Sequence, residues 1–328
     1  MRRFLMRFLL ACTVLGLNFA WPSFAQDAST YPNKPVRLIV PVPPGGAADG
    51  MARLVADHLQ NKWKQPVTVE NKPGAGGNIG ADLVAKAPPD GHTLLVGYNG
   101  PLAINVGLFE KMPYDPVKDL APITLAVTTP QYLVVNPALP VKNVSEFVAY
   151  AKNNARKMSY ASIAVGSASH LTMEMFKVAA SVDLTHIPYR GAGPAVTDLI
   201  AGNVDAAFLV PGNVQQFLKE GRLRLIATSG QKRFASTPTI PTLIESGYPD
   251  FLATSWIGFL TTAGTPKPIM DRYHKELVKI LRSADVKEKL ESMEFEVIAG
   301  TPEQFRNWII SEIPRWGKVI KLTGAKAD

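Results

Sequence analysis

Two hydrophobic periods alternate along the chain once the first 30 residues are passed. Val36–Val40 is a short apolar run typical of a buried strand. The next segment, Ala48–Trp63, instead places Met51, Val55 and Leu59 at helical spacing, and a Pro-Pro-Gly-Gly turn separates the two segments. The pattern predicts a strand, a glycine turn and an amphipathic helix in immediate succession.

The same succession recurs through the rest of the chain and predicts an α/β fold. The further predicted strands cover 67–70, 93–98, 123–127, 132–135, 159–161, 184–187, 206–210, 225–228 and 256–261, with helices among them. A segment rich in Pro, Thr and Ser, 234–250, is predicted to be an irregular connection. Strands that alternate with helices favour mainly parallel sheets. Because the pattern shifts near Ala121, we predict two α/β lobes, with the C-terminal helices returning to the first.

The first 25 residues predict an export signal. Three arginines lie within the first seven residues, ahead of an apolar stretch from Phe8 to Ala20, and a Ser-Phe-Ala sequence ends at Ala25. These are the three parts of a secretory signal peptide, so we predict cleavage after Ala25 and a periplasmic location. No later run of about 18 uncharged apolar residues occurs, so the mature chain is predicted not to span a membrane.

Composition and charge argue against several functional classes. The formal charge is +8, and loss of the three signal-peptide arginines leaves a scattered excess of +5, which favours small anions over nucleic acid. Cys12 is the only cysteine and lies in the signal, so the mature chain is expected to have no disulfide and no cysteine metal site. The glycines of 74–80 miss the spacing of a dinucleotide loop, and no P-loop string occurs. We therefore expect no nucleotide and no cofactor.

The histidines and serines do not form a catalytic pattern. None of the five histidines has metal-ligand spacing, and no GxSxG string is present. His170 lies beside Ser167 and Ser169 at a predicted helix start, where a capping serine is favoured over a Ser–His pair. The imidazole of His170 either stabilises that turn or contacts a ligand, and His186, within a predicted strand, is interpreted as structural.

Glycine turns at helix starts predict what is bound. Such turns occupy 43–46, 74–80, 166–170 and 190–194. Unpaired amides at a helix start, together with the helix dipole, favour anions, and glycine lets the backbone approach a ligand. We predict that two lobes each offer a helix N-terminus to a central cleft, which closes on a small anion, most simply a carboxylate.

Six segments carry a family resemblance through nearly the whole mature chain. They are YPNKPVRLIVPVPPGGAAD (31–49), VENKPGAGGNIGADLVAKAPPDGHTLL (69–95), PYDPVKDLAPIT (113–124), YASIAVGSASHLTMEMF (160–176), HIPYRGAGPAVTDLIAGNVDAAF (186–208) and TPEQF (301–305). In this order and spacing they resemble the Bug-type extracytoplasmic solute-binding proteins, the receptors of tripartite tricarboxylate transporters.

The resemblance implies a fold and a role. The implied fold is a two-lobe Venus flytrap of the type II periplasmic binding class, with lobe 1 formed by 26–127 and 252–328 and lobe 2 by 128–251. The implied role is capture of a small carboxylate, without catalysis, and its delivery to membrane transporter subunits. A monomer is the expectation for such a soluble receptor.

The resemblance also implies the site residues. In this family the loop after the first strand and a loop of the second lobe hold carboxylate groups, partly through backbone amides and ordered water. In the first loop these correspond to Pro43, Pro44, Gly45, Gly46, Ala47 and Asp49. The second loop runs from Ser162 to His170, with Gly166, Ser167 and Ser169 as the expected donors. Asn99, Tyr189 and Arg190 are expected to line the cleft.

Three residues depart from the family pattern. The family often has an aromatic residue where Val42 lies and a Ser-Gly pair where Ile163 and Ala164 lie. These changes predict a roomier, more apolar pocket, and the hypothesis that follows is an aromatic dicarboxylate such as terephthalate. The alternative is that these side chains face the core.

Two other functions stay open. A sensory carboxylate-binding protein that signals to a membrane kinase would need the same two-lobe clamp. An exported hydrolase would need a nucleophile–base pair in the cleft.

Overall fold

The computed structural model describes residues 30–155, 157–234 and 236–326. The predicted signal peptide and its cleavage site lie outside these residues. Within them the chain forms eleven strands and ten α-helices. None of these helices is both long and apolar enough to cross a membrane.

The strands and helices follow one another in the predicted alternation. The strands are β1 (Val36–Val40), β2 (Val67–Asn71), β3 (Thr93–Tyr98), β4 (Leu120–Pro130), β5 (Tyr132–Val135), β6 (Ser159–Ser162), β7 (Thr185–Pro188), β8 (Ala206–Leu209), β9 (Arg224–Thr228), β10 (Thr254–Thr262) and β11 (Glu296–Val297). The helices are α1 (Ala47–Trp63), α2 (Asn78–Ala85), α3 (Asn105–Leu108), α4 (Val144–Asn153), α5 (Ala168–Ala180), α6 (Ala192–Ala201), α7 (Gln215–Lys219), α8 (Lys267–Leu281), α9 (Ala284–Ser292) and α10 (Pro302–Thr323).

The strands form two sheets, one for each lobe. The lobe-1 sheet has the order β11-β4-β10-β3-β1-β2, in which β2, β1 and β3 are parallel and β10 is antiparallel to both β3 and β4. The lobe-2 sheet has the order β7-β6-β8-β5-β9, in which β7, β6 and β8 are parallel. The two-lobe α/β prediction is confirmed by these sheets and by the similar structures described below.

The chain crosses between the sheets at two places. β4 belongs to the lobe-1 sheet and ends at Pro130, and β5 of the lobe-2 sheet begins two residues later. The return runs from β9 to β10 through the predicted connection 234–250, in which the described residues form turns. The lobe boundary that we place at residues 127 and 128 therefore falls inside β4, which is longer than the predicted strand 123–127.

Apolar side chains from both sheets and the helices packed on them form the hydrophobic cores. One cluster packs α1, α8 and α9 on the lobe-1 sheet, and another packs α6 on the lobe-2 sheet. A third is continuous from one lobe to the other and includes Leu95 and Leu260 of the first sheet and Leu133 and Phe208 of the second. α10 joins them, because it packs on β4 and also against α5. The C-terminal helices α8, α9 and α10 thus pack on strands of the lobe-1 sheet, and α10 also touches lobe 2.

Two local features depart from the sequence prediction. The segment after β3 is helical, with a wide π-type turn at Gly100–Ile104 followed by α3. His92 directly follows the Pro-Pro-Asp-Gly sequence of residues 88–91, which predicts a turn residue. Instead it is only 4% exposed, and its ring packs against that of Tyr31 with centroids 4.7 Å apart. Both depend on residues distant in sequence, which local patterns do not report.

Candidate functional site

The predicted site loops lie at the carboxyl ends of the parallel strands of both sheets. In lobe 1 these ends carry the residues after β1, β2 and β3, and in lobe 2 the residues after β6, β7 and β8. Helices α1, α5 and α6 begin directly after such loops. First-turn amides of a helix have no partner within the helix and attract anions. Ligands of open α/β sheets bind at this edge.

The lobe-1 loop, residues 41–49, is held from inside by Asp49. Asp49 is 4% exposed, and its carboxylate accepts bonds from the Gly45 amide at 3.0 Å and from two nitrogens of Arg53, each at 3.0 Å. The Asn71 amide donates to the same carboxylate at 3.0 Å and to the Val42 carbonyl at 3.0 Å. The bonds from Arg53 are the main reason that the pKa of Asp49 is lowered to about 2. Asp49 therefore shapes the loop, and Pro43 to Gly46 form its exposed surface.

A second rim of lobe 1 follows β2 and was not among the predicted site residues. The Gly76 carbonyl accepts bonds from the Tyr98 hydroxyl and the Asn105 amide, both at 3.1 Å. A side chain at Gly77 would collide with Tyr98 and Pro101, so this glycine permits the close packing of the turn. The 74–80 glycine string was a signal for this rim, but only the strand order shows that it lies beside the lobe-1 loop.

Asn99, which was expected to line the cleft, follows β3 and is buried against the start of β10. It is 3% exposed, its amide donates to the Thr254 carbonyl at 2.9 Å, and its carbonyl accepts from the Trp256 amide at 3.0 Å. Both polar ends of Asn99 are thus bonded to the start of β10, the strand that returns from lobe 2. We interpret Asn99 as a residue that fixes this crossing.

The lobe-2 turn, residues 162–167, leads into α5. Ser167 is the N-cap of α5: its hydroxyl accepts from the His170 amide at 3.2 Å and donates to the Ala164 carbonyl at 2.7 Å. The Ser169 hydroxyl is buried and donates to the Phe208 carbonyl at 2.6 Å. The capping role predicted for this serine pair is thus confirmed for Ser167, while Ser169 fastens the helix to β8.

A neighbouring loop runs beside the lobe-2 turn. The Tyr189 amide donates to the Ser162 carbonyl at 2.9 Å, and the Gly191 amide donates to the Ile163 carbonyl at 3.0 Å. The Tyr189 hydroxyl donates to Asp198 at 2.6 Å, and burial is the largest reason that the pKa of this tyrosine is raised to about 12. Arg190, between the two bonded amides, is exposed. The structure therefore places Tyr189 and Arg190 at the same rim as 162–164.

The lobe-2 turn lies against lobe 1 at Gly166. Gly166 has a φ of +70°, and a side chain there would collide with Leu108 at the end of α3. Leu108 follows the loop after β3, so lobe 2 meets lobe 1 directly beside the loops described above. Glycine is required at residue 166 both by its left-handed backbone and by this contact.

Ser162 and His186 form a pair that resembles a nucleophile and its base. The Ser162 hydroxyl lies 2.7 Å from Nε2 of His186. The sequence analysis did not predict this pair, because the two residues lie on different strands. However, Ser162 is fully buried and its hydroxyl donates to the Ala164 carbonyl at 3.0 Å. The one nearby carboxylate, Glu174, is bonded to the Tyr160 hydroxyl and to Lys177, so it does not orient His186 as a catalytic triad requires.

Two cavities lie elsewhere. One of about 460 Å³ is lined by α5, residues 247–252 and the end of α10, and one of about 630 Å³ by β4, β11, residues 230–234 and the start of α10. No predicted site residue lines either of them.

Over the part of the chain that the structure describes, no three His, Cys, Asp or Glu side chains are placed to hold a metal ion.

The site can be compared with known proteins. The family model for the tripartite tricarboxylate transporter family receptor matches residues 51–325. Protein BugT of Bordetella pertussis is 37% identical over 316 residues, which are 95% of this chain and 97% of BugT. The structure of R. palustris Rpa4515 with adipate superimposes with a TM-score of 0.82 at 33% identity, covering 90% of this chain and 99% of that one. MatC from Rhodopseudomonas palustris with bound malate gives 0.78 at 32% identity, covering 88% and 100%.

Proposed function

Because the chain belongs to the tripartite tricarboxylate transporter receptor family, we propose that it is a periplasmic receptor for a dicarboxylate. The receptor encloses its ligand between the lobe-1 loop and the lobe-2 turn and delivers it to a membrane transporter of the tripartite type. One observation carries the proposal: helix N-termini of both lobes open at the same edge, where Gly166 meets Leu108. The adipate and malate in the titles of two similar structures support this ligand class.

The exposed apolar side chains of the rim favour an apolar ligand body. Ile79, in the first turn of α2, is 54% exposed, and Ala164 is exposed in the lobe-2 turn. Val42 and Ile163 are half-buried and also pack on the core clusters of their lobes, so each offers only part of its surface to a ligand. We propose a dicarboxylate whose carboxylates are separated by methylenes or an aromatic ring, such as adipate or terephthalate.

The same geometry supports binding without catalysis. The Ser162 hydroxyl is the one serine oxygen within bonding distance of a histidine ring nitrogen in the lobe-2 turn, and it is buried and already donates to a carbonyl. A nucleophile must reach its substrate. We therefore propose that adipate or terephthalate is released from the receptor unchanged.

A ligand panel tests the proposal. The chain from residue 26 is unfolded, freed of bound ligand and refolded, and its thermal unfolding is followed with adipate, terephthalate, malate, citrate and a diamine of matched length. A ligand at about 100 times its Kd should stabilise the fold by about 2.7 kcal/mol. We expect selective stabilisation by dicarboxylates with apolar bodies. Stabilisation by citrate or malate alone would contradict the apolar-body proposal, and a flat panel would contradict the receptor.

A pair of tryptophan variants locates the site. Ala164→Trp places a large ring in the lobe-2 turn and should abolish the ligand-induced shift. Ala138→Trp is the matched control, because Ala138 is also exposed but follows β5 at the opposite edge of the lobe-2 sheet. Equal loss of binding in both variants would contradict the proposed position of the ligand.

A further inference from the structure

His170 reaches back from α5 to hold the lobe-2 turn. It is the third residue of the helix and 6% exposed, and its Nδ1 accepts the Gly166 amide at 3.0 Å. A nitrogen that accepts a hydrogen bond carries no proton, so neutral His170 bears its proton on Nε2. Protonation of Nδ1 would turn the acceptor into a second donor facing the Gly166 N–H.

His186 holds the same turn from β7. Its Nε2 lies 2.7 Å from the Ser162 hydroxyl, and that hydroxyl already gives its one proton to the Ala164 carbonyl. Nε2 of His186 must therefore be the donor, and in the neutral ring Nδ1 is unprotonated. Two imidazoles thus fix the turn at both ends, one at Ser162 and one at Gly166.

The two rings are stacked on each other. Their centroids are 3.9 Å apart and their planes differ by 7°, and the ring of Tyr160 of β6 lies nearly parallel to both, 4.9 Å from His186 and 6.4 Å from His170. The charged groups near the stack are Glu174 and Lys177 of α5, which neutralise one another at 2.9 Å. Charge on both rings at this distance would be repulsive. Burial lowers the pKa of both histidines, that of His186 to about 4.

We propose that His170 and His186 are positioning residues that hold the lobe-2 turn, and that the turn keeps its ligand-binding shape only while His170 is neutral. Protonation removes the acceptor for the Gly166 amide and loosens the turn. Ligand affinity therefore falls on acidification, beyond any effect of the ligand's own titration. The proposal concerns regulation of the proposed receptor site, and its first test needs no ligand.

The first test is NMR of the ligand-free protein labelled with ¹⁵N. His170 should show the Nε2–H tautomer at about pH 7.5, and the Gly166 amide resonance should shift along the same titration curve as the His170 ring. A His170 ring protonated on Nδ1 at this pH, or a Gly166 resonance that ignores its titration, would overturn the proposal.

The second test measures binding with two variants of one residue. His170→Gln keeps a hydrogen-bond acceptor at the third helix position but does not titrate; His170→Leu removes the acceptor. Calorimetry uses whichever of adipate, terephthalate and malate stabilises the wild type. At about pH 7.5 we expect H170Q to bind within about threefold of the wild type and H170L about tenfold more weakly, because a buried amide is left unpaired.

Acidification then separates a positioning role from a structural one. Below the pH at which the His170 ring titrates in the NMR experiment, the wild type should weaken at least about fivefold more than H170Q, since only the wild type titrates at this position. Equal weakening, or tighter wild-type binding, would overturn the proposal. If no carboxylate binds at either pH while the NMR result holds, the receptor function fails and the pH-dependent turn stands.

Discussion

The two loops proposed to hold carboxylates are stabilised by different chemistry. The lobe-1 loop depends on a buried carboxylate, Asp49, which is neutralised by Arg53 and bonded to Gly45 and Asn71. The lobe-2 turn depends on uncharged groups, the rings of His170 and His186 and the Ser167 hydroxyl. A carboxylate with a pKa of about 2 stays ionised at every physiological pH, whereas neutral imidazoles do not stay neutral in acid. One loop is therefore fixed, and the other can respond to pH.

The lobe-1 loop and the lobe-2 turn also differ in the space around their glycines. Gly45 in the lobe-1 loop and Gly166 in the lobe-2 turn both have positive φ, +91° and +70°. A side chain at Gly45 would meet nothing within 4 Å, whereas one at Gly166 would collide with Leu108 of the other lobe. Gly45 is therefore needed only for the backbone conformation of its own loop, whereas Gly166 also leaves room for the contact between the lobes.

The largest expected effect comes from Gly166→Ala. Backbone strain of about 1–2 kcal/mol adds to overpacking of about 1–3 kcal/mol, so the free energy of unfolding should fall by about 2–5 kcal/mol. Gly45→Ala should cost only the strain, about 1–2 kcal/mol. Denaturant unfolding of both variants measures the difference.

A double variant shows whether the lobe contact is the cause. Leu108→Ala gives the new methyl group space, so G166A combined with L108A should be less destabilised than the two single changes predict together, by about 1 kcal/mol or more. Strict additivity would mean that the contact with Leu108 does not cause the extra loss in G166A. Equal losses in G45A and G166A would mean that the two glycines have the same role.

Asp49→Ala should have the next largest effect. It leaves the Gly45 amide and the Asn71 side chain without their acceptor, and we expect a loss of about 2–3 kcal/mol in the free energy of unfolding together with weaker dicarboxylate binding. Asp57→Ala is the control on the same helix, because Asp57 is exposed and surface changes usually lie within about 0.5 kcal/mol. If D49A and D57A unfold alike, the lobe-1 loop is not held by its carboxylate.

Stability against pH tests the chemical difference directly. The folded-state pKa of both histidines is lowered, so the unfolded chain binds protons more readily, and their contribution is full above about pH 6.5 and lost as pH falls toward about 4. The pKa of Asp49 is also lowered, to about 2, so its contribution is full above about pH 4 and is lost only below that.

The measurement compares the wild type with the H170Q/H186Q variant. Between about pH 7 and about pH 4.5 we expect the wild type to lose about 1–2 kcal/mol more of its free energy of unfolding than the variant does. Buried His92, whose pKa burial also lowers, is present in both proteins and cancels. Parallel losses would place the pH response outside the stacked pair.

Local patterns predicted the elements and the loops but not the contacts that make the loops work. The strand–turn–helix succession predicted β1 with α1, and the position of Ser167 at a predicted helix start predicted a cap. Both predictions depend on neighbouring residues. The stack of His186 on the lobe-2 turn depends on the parallel register that sets Tyr160 opposite His186. The bond from Asn99 to Thr254 joins residues 155 positions apart. Such contacts follow from the sheet order, which local periodicity does not report.

The smallest expected effect separates a helix cap from a site residue. Ser167 caps α5 and Asn143 caps α4, where its side chain accepts the Glu146 amide at 2.9 Å. Loss of either cap should cost about 1 kcal/mol, so Ser167→Ala and Asn143→Ala should unfold at similar denaturant concentrations. Only S167A also removes the bond to the Ala164 carbonyl, so only S167A should weaken dicarboxylate binding in calorimetry, by several-fold. If both variants bind like the wild type, the hydroxyl is a cap and nothing more, and the two imidazoles alone distinguish the lobe-2 turn from the lobe-1 loop.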